Sequence, residues 1–213
     1  MDFDFFAQRI PKIKDLPLLG EISHYKMAPD FRLEELKGYY SIKKDAKQAG
    51  VMALFYPEED NVTHLLLILR KTYKGVHSNQ IGFPGGKAER SDIGILATAL
   101  RETEEEVGVQ AHQIEVFKEL TSIYIPPSNF EVQPFFGICK IRPTFRIQEE
   151  EVEALVKVRL IDFLDDANIL QKTLTTSYAE NVVVPAFMLS GHTVWGATAM
   201  MLSEVRDLLK QVL

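Results

Sequence analysis

The sequence predicts an α/β protein whose mixed β-sheet is sandwiched by helices. Apolar runs of strand length outnumber helical patterns, so strands dominate. Strands and helices do not alternate strictly, which disfavours a purely parallel sheet. Apolar residues make up 46% of the 213 positions, enough for a sizeable core in one large domain or a domain with an extension.

The elements follow in order. Residues 1–45 mix short amphipathic stretches with polar punctuation and read as a helical extension packed on a main domain, 46–213. Residues 51–56 and 64–70 are strands joined by the turn-forming cluster Pro57-Glu58-Glu59-Asp60-Asn61, hence a hairpin. Residues 80–83 form a short strand stopped by Pro84-Gly85-Gly86. A helix over 93–107 has Ser91 or Asp92 as N-cap and Gly108 as its stop. Strands are expected at 114–125, 132–141 and 152–158, and a short helix at 160–166. Residues 182–187 and His192–Trp195 look extended, and an amphipathic helix over 197–213 closes the chain.

The formal charge of −6 disfavours a nucleic-acid binder, which needs a basic surface. The single cysteine, Cys139, sits in an apolar run and reads as a buried, inert thiol. The N-terminus lacks the basic and apolar regions of a secretory signal, and no run is long enough to span a bilayer. A cytoplasmic protein without membrane partners is expected.

Chemistry concentrates in Arg101-Glu102-Thr103-Glu104-Glu105-Glu106. At about 100° per residue, Ile93, Leu96, Leu100, Thr103 and Val107 share one stripe, expected to pack on the sheet. Glu102, Glu105 and Glu106 share another face, and Glu104 points away. Acids at these spacings repel by roughly 0.2–0.5 kcal/mol per pair. They also stand near a helix C-terminus, where the dipole disfavours negative charge. A hard divalent cation, Mg2+ or Mn2+, would reverse that cost. Arg101 lies one turn before Glu105, positioned to orient its carboxylate. A solvated acidic helix end is the competing reading of the run alone.

The segment Phe83-Pro84-Gly85-Gly86-Lys87 precedes this helix, and its glycines permit close backbone approach to a ligand. Together the two segments resemble the signature of the Nudix hydrolases, G-x5-E-x7-R-E-U-x-E-E-x-G-U with U apolar. Residues 101–109 match except for Thr103. Asp92 stands where a glutamate is expected, with one additional residue before Arg101. That longer spacing resembles the coenzyme A pyrophosphatases of the family, as do FPGGKAERSD and TALRETEEEVG. So do Leu66, Leu67, Arg70, His77 and Gln80 upstream, where Gly75 and Asn79 depart from the pattern. Further resemblance covers residues 125–128, 151–152 and 195–199.

The resemblance implies a Nudix-type α/β/α sandwich with a mixed β-sheet, and metal-assisted attack of water on a nucleotide diphosphate. Glu102, Glu105 and Glu106 are then the metal ligands, the Gly85 carbonyl a further candidate donor, and Mg2+ or Mn2+ the cofactor. The general base is a glutamate of the run, such as Glu105, or a downstream acid, for which Glu151 is the candidate beside Glu149, Glu150 and Glu153. Arg101 joins Glu105 and Glu151 as catalytic. Arg70, Lys71, Lys74, His77, Gly86 and Lys87 are candidate substrate contacts. With coenzyme A as substrate the products are 3′,5′-ADP and 4′-phosphopantetheine. Hydrolysis of ADP-ribose or a nucleotide sugar, and a catalytically silent nucleotide-binding module, remain as alternatives.

Overall fold

The structure is a computed structural model that describes residues 1–29, 45–71, 80–174 and 181–213. Its centre is β1 (Lys47–Pro57), buried from Ala49 to its end. β1 forms the expected hairpin with β2 (Thr63–Arg70), pairing Leu54 with Leu66 and Pro57 with Thr63. Beyond Leu54 the two strands part, and residues 81–87 fill the gap. That segment enters along β2 as β3 (Ile81–Gly82), reverses at Pro84, and leaves along β1 as β4 (Gly85–Lys87). The glycines expected to end a strand therefore form one.

The other edge of β1 pairs in parallel with β7 (Phe130–Ile138). All other pairings among the described strands are antiparallel, so the sheet is mixed, as predicted. β5 (Glu115–Glu119) and β6 (Ile123–Ile125) flank β7, and β8 (Val152–Arg159) flanks β2. The strand expected over 114–125 is thus two, broken where Leu120 N–H donates to the Pro134 carbonyl and Thr121 turns to a buried glutamate. A second sheet, β9 (Ile169–Leu174), β10 (Val182–Leu189) and β11 (His192–Trp195), was not expected as separate. β9 escaped notice because most of its residues are exposed or half-exposed, leaving no apolar run to read.

Alternation along β1 sorts the core into two layers. Met52, Leu54 and Tyr56 face one side, with Ala99 and Val107 of the glutamate helix α4 (Ile95–Val107). Ala53 and Phe55 face the other. There they meet the short helices α1 (Phe3–Ala7) and α2 (Ile10–Asp15) and the closing helix α6 (Gly196–Lys210). Phe6 packs on Phe55 with ring centroids 5.3 Å apart. A further short helix, α3 (Glu21–Tyr25), lies against α6, and α5 (Leu160–Leu164) follows β8. Among the described residues no helix is long and apolar enough to cross a membrane.

α4 begins two residues later than predicted. Its N-cap is Gly94, not Ser91 or Asp92, and Gly108 closes it in the left-handed conformation as expected. Ile93 therefore precedes the helix, outside its phase, and is 95% exposed; Leu96 is also exposed. Of the expected stripe Leu100, Thr103 and Val107 do pack; Ile95 and Ala99 complete the face, with Glu106 buried beside them.

The N-terminal helices are tied down by polar contacts as well as by apolar ones. Lys118 Nζ on β5 donates to the carbonyls of Lys14 and Leu16, closing the end of α2. Glu204 on α6 is fully buried. Its carboxylate accepts from Gly20 N–H at 2.8 Å, Thr121 N–H at 2.9 Å and Thr121 Oγ1 at 2.7 Å, and the His24 ring approaches to 3.6 Å. Burial alone would raise this carboxyl, but these partners outweigh it and bring it down to about 2.

A depressed carboxyl stabilises the fold above its ordinary value of 4.5, and that contribution is lost as pH falls toward 2. Glu204→Gln is expected to lower stability by about 2–4 kcal/mol at neutral pH, with the deficit shrinking below pH 4. Urea unfolding of both proteins across pH checks this. An equal deficit at pH 7 and pH 3 contradicts the charge-based account.

Candidate metal centre

Three carboxylates converge where α4, the glycine segment and the β8 end of the sheet meet. One oxygen each from Glu102, Glu106 and Glu151 lies within 4.8 Å of the other two. An octahedral shell of radius about 2.1 Å holds its oxygens roughly 3–4 Å apart, so a small inward movement lets this set grip Mg2+ or Mn2+. The donors are all hard oxygens, the chemistry those ions prefer. Among the described residues no other group of this kind occurs.

Glu106 is the fixed member, only 1% exposed. Gly85 N–H donates to its Oε2 at 2.8 Å and Arg70 Nη1 to its Oε1 at 3.0 Å. Gly85 itself has φ +141°, and a side chain there would collide with the backbone of Gly50 and Val51. Glu102 is half-buried and leans on the next glycine, because a Cβ at Gly86 would occupy the position of its carboxyl. The two glycines let the backbone lie against two carboxylates at once.

Glu151 arrives from a different direction. The chain from 146 to 148 closes the C-terminal end of α4: Arg146 N–H donates to the Val107 carbonyl and Gln148 N–H to the Glu106 carbonyl. These bonds satisfy helix-end carbonyls that would otherwise repel the acids. Gln148 Oε1 then accepts from the N–H groups of Glu150 and Glu151, folding the turn that aims Glu151 at the site.

Burial raises the Glu106 carboxyl to about 7. Arg70 and the Gly85 N–H pull it down, and Glu102 and Glu151 push it up. Burial also raises Glu102, against the pull of Arg101 and with the push of Glu105 and Glu151. The acids are thus held in mutual conflict, the condition a cation relieves.

Arg101 grips four residues. Its Nε and Nη2 form a fork on Asp92, at 2.9 and 3.0 Å; Nη1 reaches Glu102 and Glu105, each at 2.9 Å; Nη2 also reaches the Lys87 carbonyl. The expected orientation of Glu105 is present, within a larger clamp. Asp92 is held well below the usual carboxylate range, chiefly by Arg101, then by Glu89 N–H and Thr98. Sequence reading flagged Asp92 as a departure and missed this partnership. The available signal was an acid in the loop with an arginine on the following helix.

Other expected residues fall differently. Glu105 is more than half exposed and lies outside the converging group, beside Arg101. Arg70 and Lys71, read as substrate contacts, are occupied within the protein: Arg70 by Glu106 and the Gly85 carbonyl, Lys71 Nζ by the Glu149 carbonyl. The Gly85 carbonyl, a candidate donor to metal, accepts from Arg70 with one of its two lone pairs. Lys87 is exposed and Gly86 lies against the Glu102 carboxyl. Lys74 and His77 lie outside the described residues. Cys139 is buried, its thiol raised to about 12 by burial, as an inert cysteine should be.

Comparisons with known proteins agree with the sequence signature. A model described as NUDIX domain matches residues 46–177. A human protein named mitochondrial coenzyme A diphosphatase NUDT8 is 31% identical over 150 residues, covering 70% of this chain and 64% of that protein. A Yersinia enterocolitica protein named uncharacterized Nudix hydrolase NudL is 39% identical over 100 residues, 47% of this chain and 51% of that one. The chain therefore spans less than two thirds of the length of these relatives. Among solved structures, the Nudix hydrolase RenU of M. Smegmatis superposes with a TM-score of 0.54 at 14% identity, over 79% of this chain and 88% of that one. A MutT/nudix protein from Enterococcus faecalis gives 0.50 at 18%, over 84% and 69%. At these identities the likeness concerns the fold.

A raised carboxyl acts on stability in the sense opposite to Glu204. Its ionisation is disfavoured in the folded state, so stability is greatest below 4.5 and falls as pH rises through about 7. Without metal at about pH 8, Glu106→Gln is expected to be more stable than the parent by about 1–3 kcal/mol. The gain should vanish at pH 4 and reverse when Mg2+ stabilises only the parent. Urea unfolding with and without chelator checks it. A variant less stable at pH 8 without metal contradicts the proposed conflict among the acids.

Proposed function

The chain belongs to the Nudix family, and from that premise we propose that it is a divalent-cation-dependent diphosphatase acting on coenzyme A or its thioesters. The observation that carries the catalytic part is the convergence of Glu102, Glu106 and Glu151. The substrate part is supported by the loop spacing from Gly86 to Arg101 and by the similarity to a protein named as a coenzyme A diphosphatase.

Glu102, Glu106 and Glu151 would hold Mg2+ or Mn2+. The bound ion supplies charge neutralisation on the diphosphate oxygens and Lewis-acid activation of the hydrolytic water. The protein does the rest. Gly85 N–H and Arg70 keep Glu106 in one orientation. Arg101 holds Glu102 and Glu105, so that Glu105 is ready at the rim to add a further carboxylate. Glu151 is the exposed member of the trio, reached by solvent; with one oxygen given to the ion, its second oxygen is our candidate for the proton acceptor from water. Lys87, exposed beside Gly86, is left to meet substrate phosphate.

A panel of coenzyme A, an acyl-coenzyme A, ADP-ribose and a nucleotide sugar, each with Mg2+ and with Mn2+, tests the reading. The expected outcome is highest kcat/KM on coenzyme A or its thioester, with 3′,5′-ADP and a 4′-phosphopantetheine as products. A preference for ADP-ribose overturns the substrate assignment. No turnover of any diphosphate overturns the enzymatic one.

A further inference from the structure

The end of β2 brings two cations, Arg70 and Lys71, to the metal centre, yet the side-chain bonds they make lead to the protein. Arg70 is 23% exposed, and its two terminal nitrogens bridge Glu106 Oε1 and the Gly85 carbonyl, at 3.0 and 2.6 Å. Since Gly85 N–H holds the other oxygen of Glu106, one guanidinium and one peptide unit enclose that carboxylate on both sides. Lys71 acts on the opposite ligand. Its N–H donates to the Glu151 carbonyl at 2.8 Å, and its Nζ to the Glu149 carbonyl at 2.7 Å. The pairing of β2 with β8 shifts register here, from Leu69 opposite Ala154 to Arg70 opposite Val152, so the regular ladder ends where these two cations leave the strand.

We infer that Arg70 and Lys71 are positioning residues for the acidic trio, Arg70 for Glu106 and Lys71 for Glu151, and are not the cations that recognise the substrate's terminal phosphate. The inference rests on the reading of the trio as a cation site. It locates part of the metal affinity in β2, outside the glutamate helix. It also assigns terminal-phosphate recognition to other cations.

The planar fork is what the geometry requires of Arg70. A lysine keeps the charge, so its long-range effect on a cation is nearly unchanged. It cannot span Glu106 and the Gly85 carbonyl as a fork does. A lysine would, however, still serve a phosphate as a point charge. Arg70→Lys therefore separates the two roles.

Mn2+ binding to the purified protein, followed by the EPR signal of the free ion without substrate, gives the first readout. Arg70→Lys is expected to weaken Mn2+ about tenfold or more, and Lys71→Met by about threefold or more. The second readout is the ratio of kcat/KM for coenzyme A with and without its 3′-phosphate, expected to stay within about twofold of the parent in both variants. Parental Mn2+ affinity in a folded Arg70→Lys, or a collapse of that ratio, overturns the inference. Should Arg70→Lys not fold, Lys71→Met decides by the same criteria. Failure of the site reading looks different: Glu106→Gln would then bind Mn2+ as tightly as the parent.

Discussion

Glu106 holds a carboxylate where water scarcely reaches, within 4.8 Å of two others, and much of the structure around it follows from that constraint. A buried charge needs hydrogen bonds and an opposite charge. Gly85 supplies the first and Arg70 the second. For the Gly85 peptide to arrive there, residues 81–87 must lie inside the sheet, which is why β1 and β2 part after Leu54. The absence of a side chain at Gly85 and Gly86 is then a packing requirement: Val51 crowds the first and Glu102 the second.

A second layer of polar contacts keeps this arrangement rigid. Arg101 joins the loop at Asp92 to Glu102 and Glu105, tying the approach to α4 to its acidic face. Residues 146–148 close the end of α4 and carry Glu151 into place in the same stroke. The acidic run therefore avoids much of the helix-end penalty that its position implies. What remains is repulsion among three carboxylates, and a divalent cation removes it.

Much of this was legible in the sequence where the signal is local. The 51–70 hairpin, the glutamate helix and its stop at Gly108 rest on periodicity and turn chemistry within a few residues. The closing helix is legible for the same reason. The start of α4 was misplaced because Ile93 continues the apolar spacing although it lies before the helix. Long-range features were hidden. That 81–87 splits a hairpin depends on strand pairing, and the membership of Glu151 in the trio depends on the turn made by Gln148. For Arg70 and Lys71 the sequence shows the charge but not the partner; the bonds to Glu106, Gly85 and Glu149 form only once β2 lies beside β8 and the glycine segment.

The central claim is that Glu102, Glu106 and Glu151 form one cation site. Anomalous diffraction from crystals soaked in Mn2+ tests it most directly. The account predicts a peak about 2.1–2.3 Å from one oxygen of each of the three carboxylates. A peak bound by Glu104 or Glu105 without Glu106, or no peak near the trio at saturating Mn2+, contradicts it.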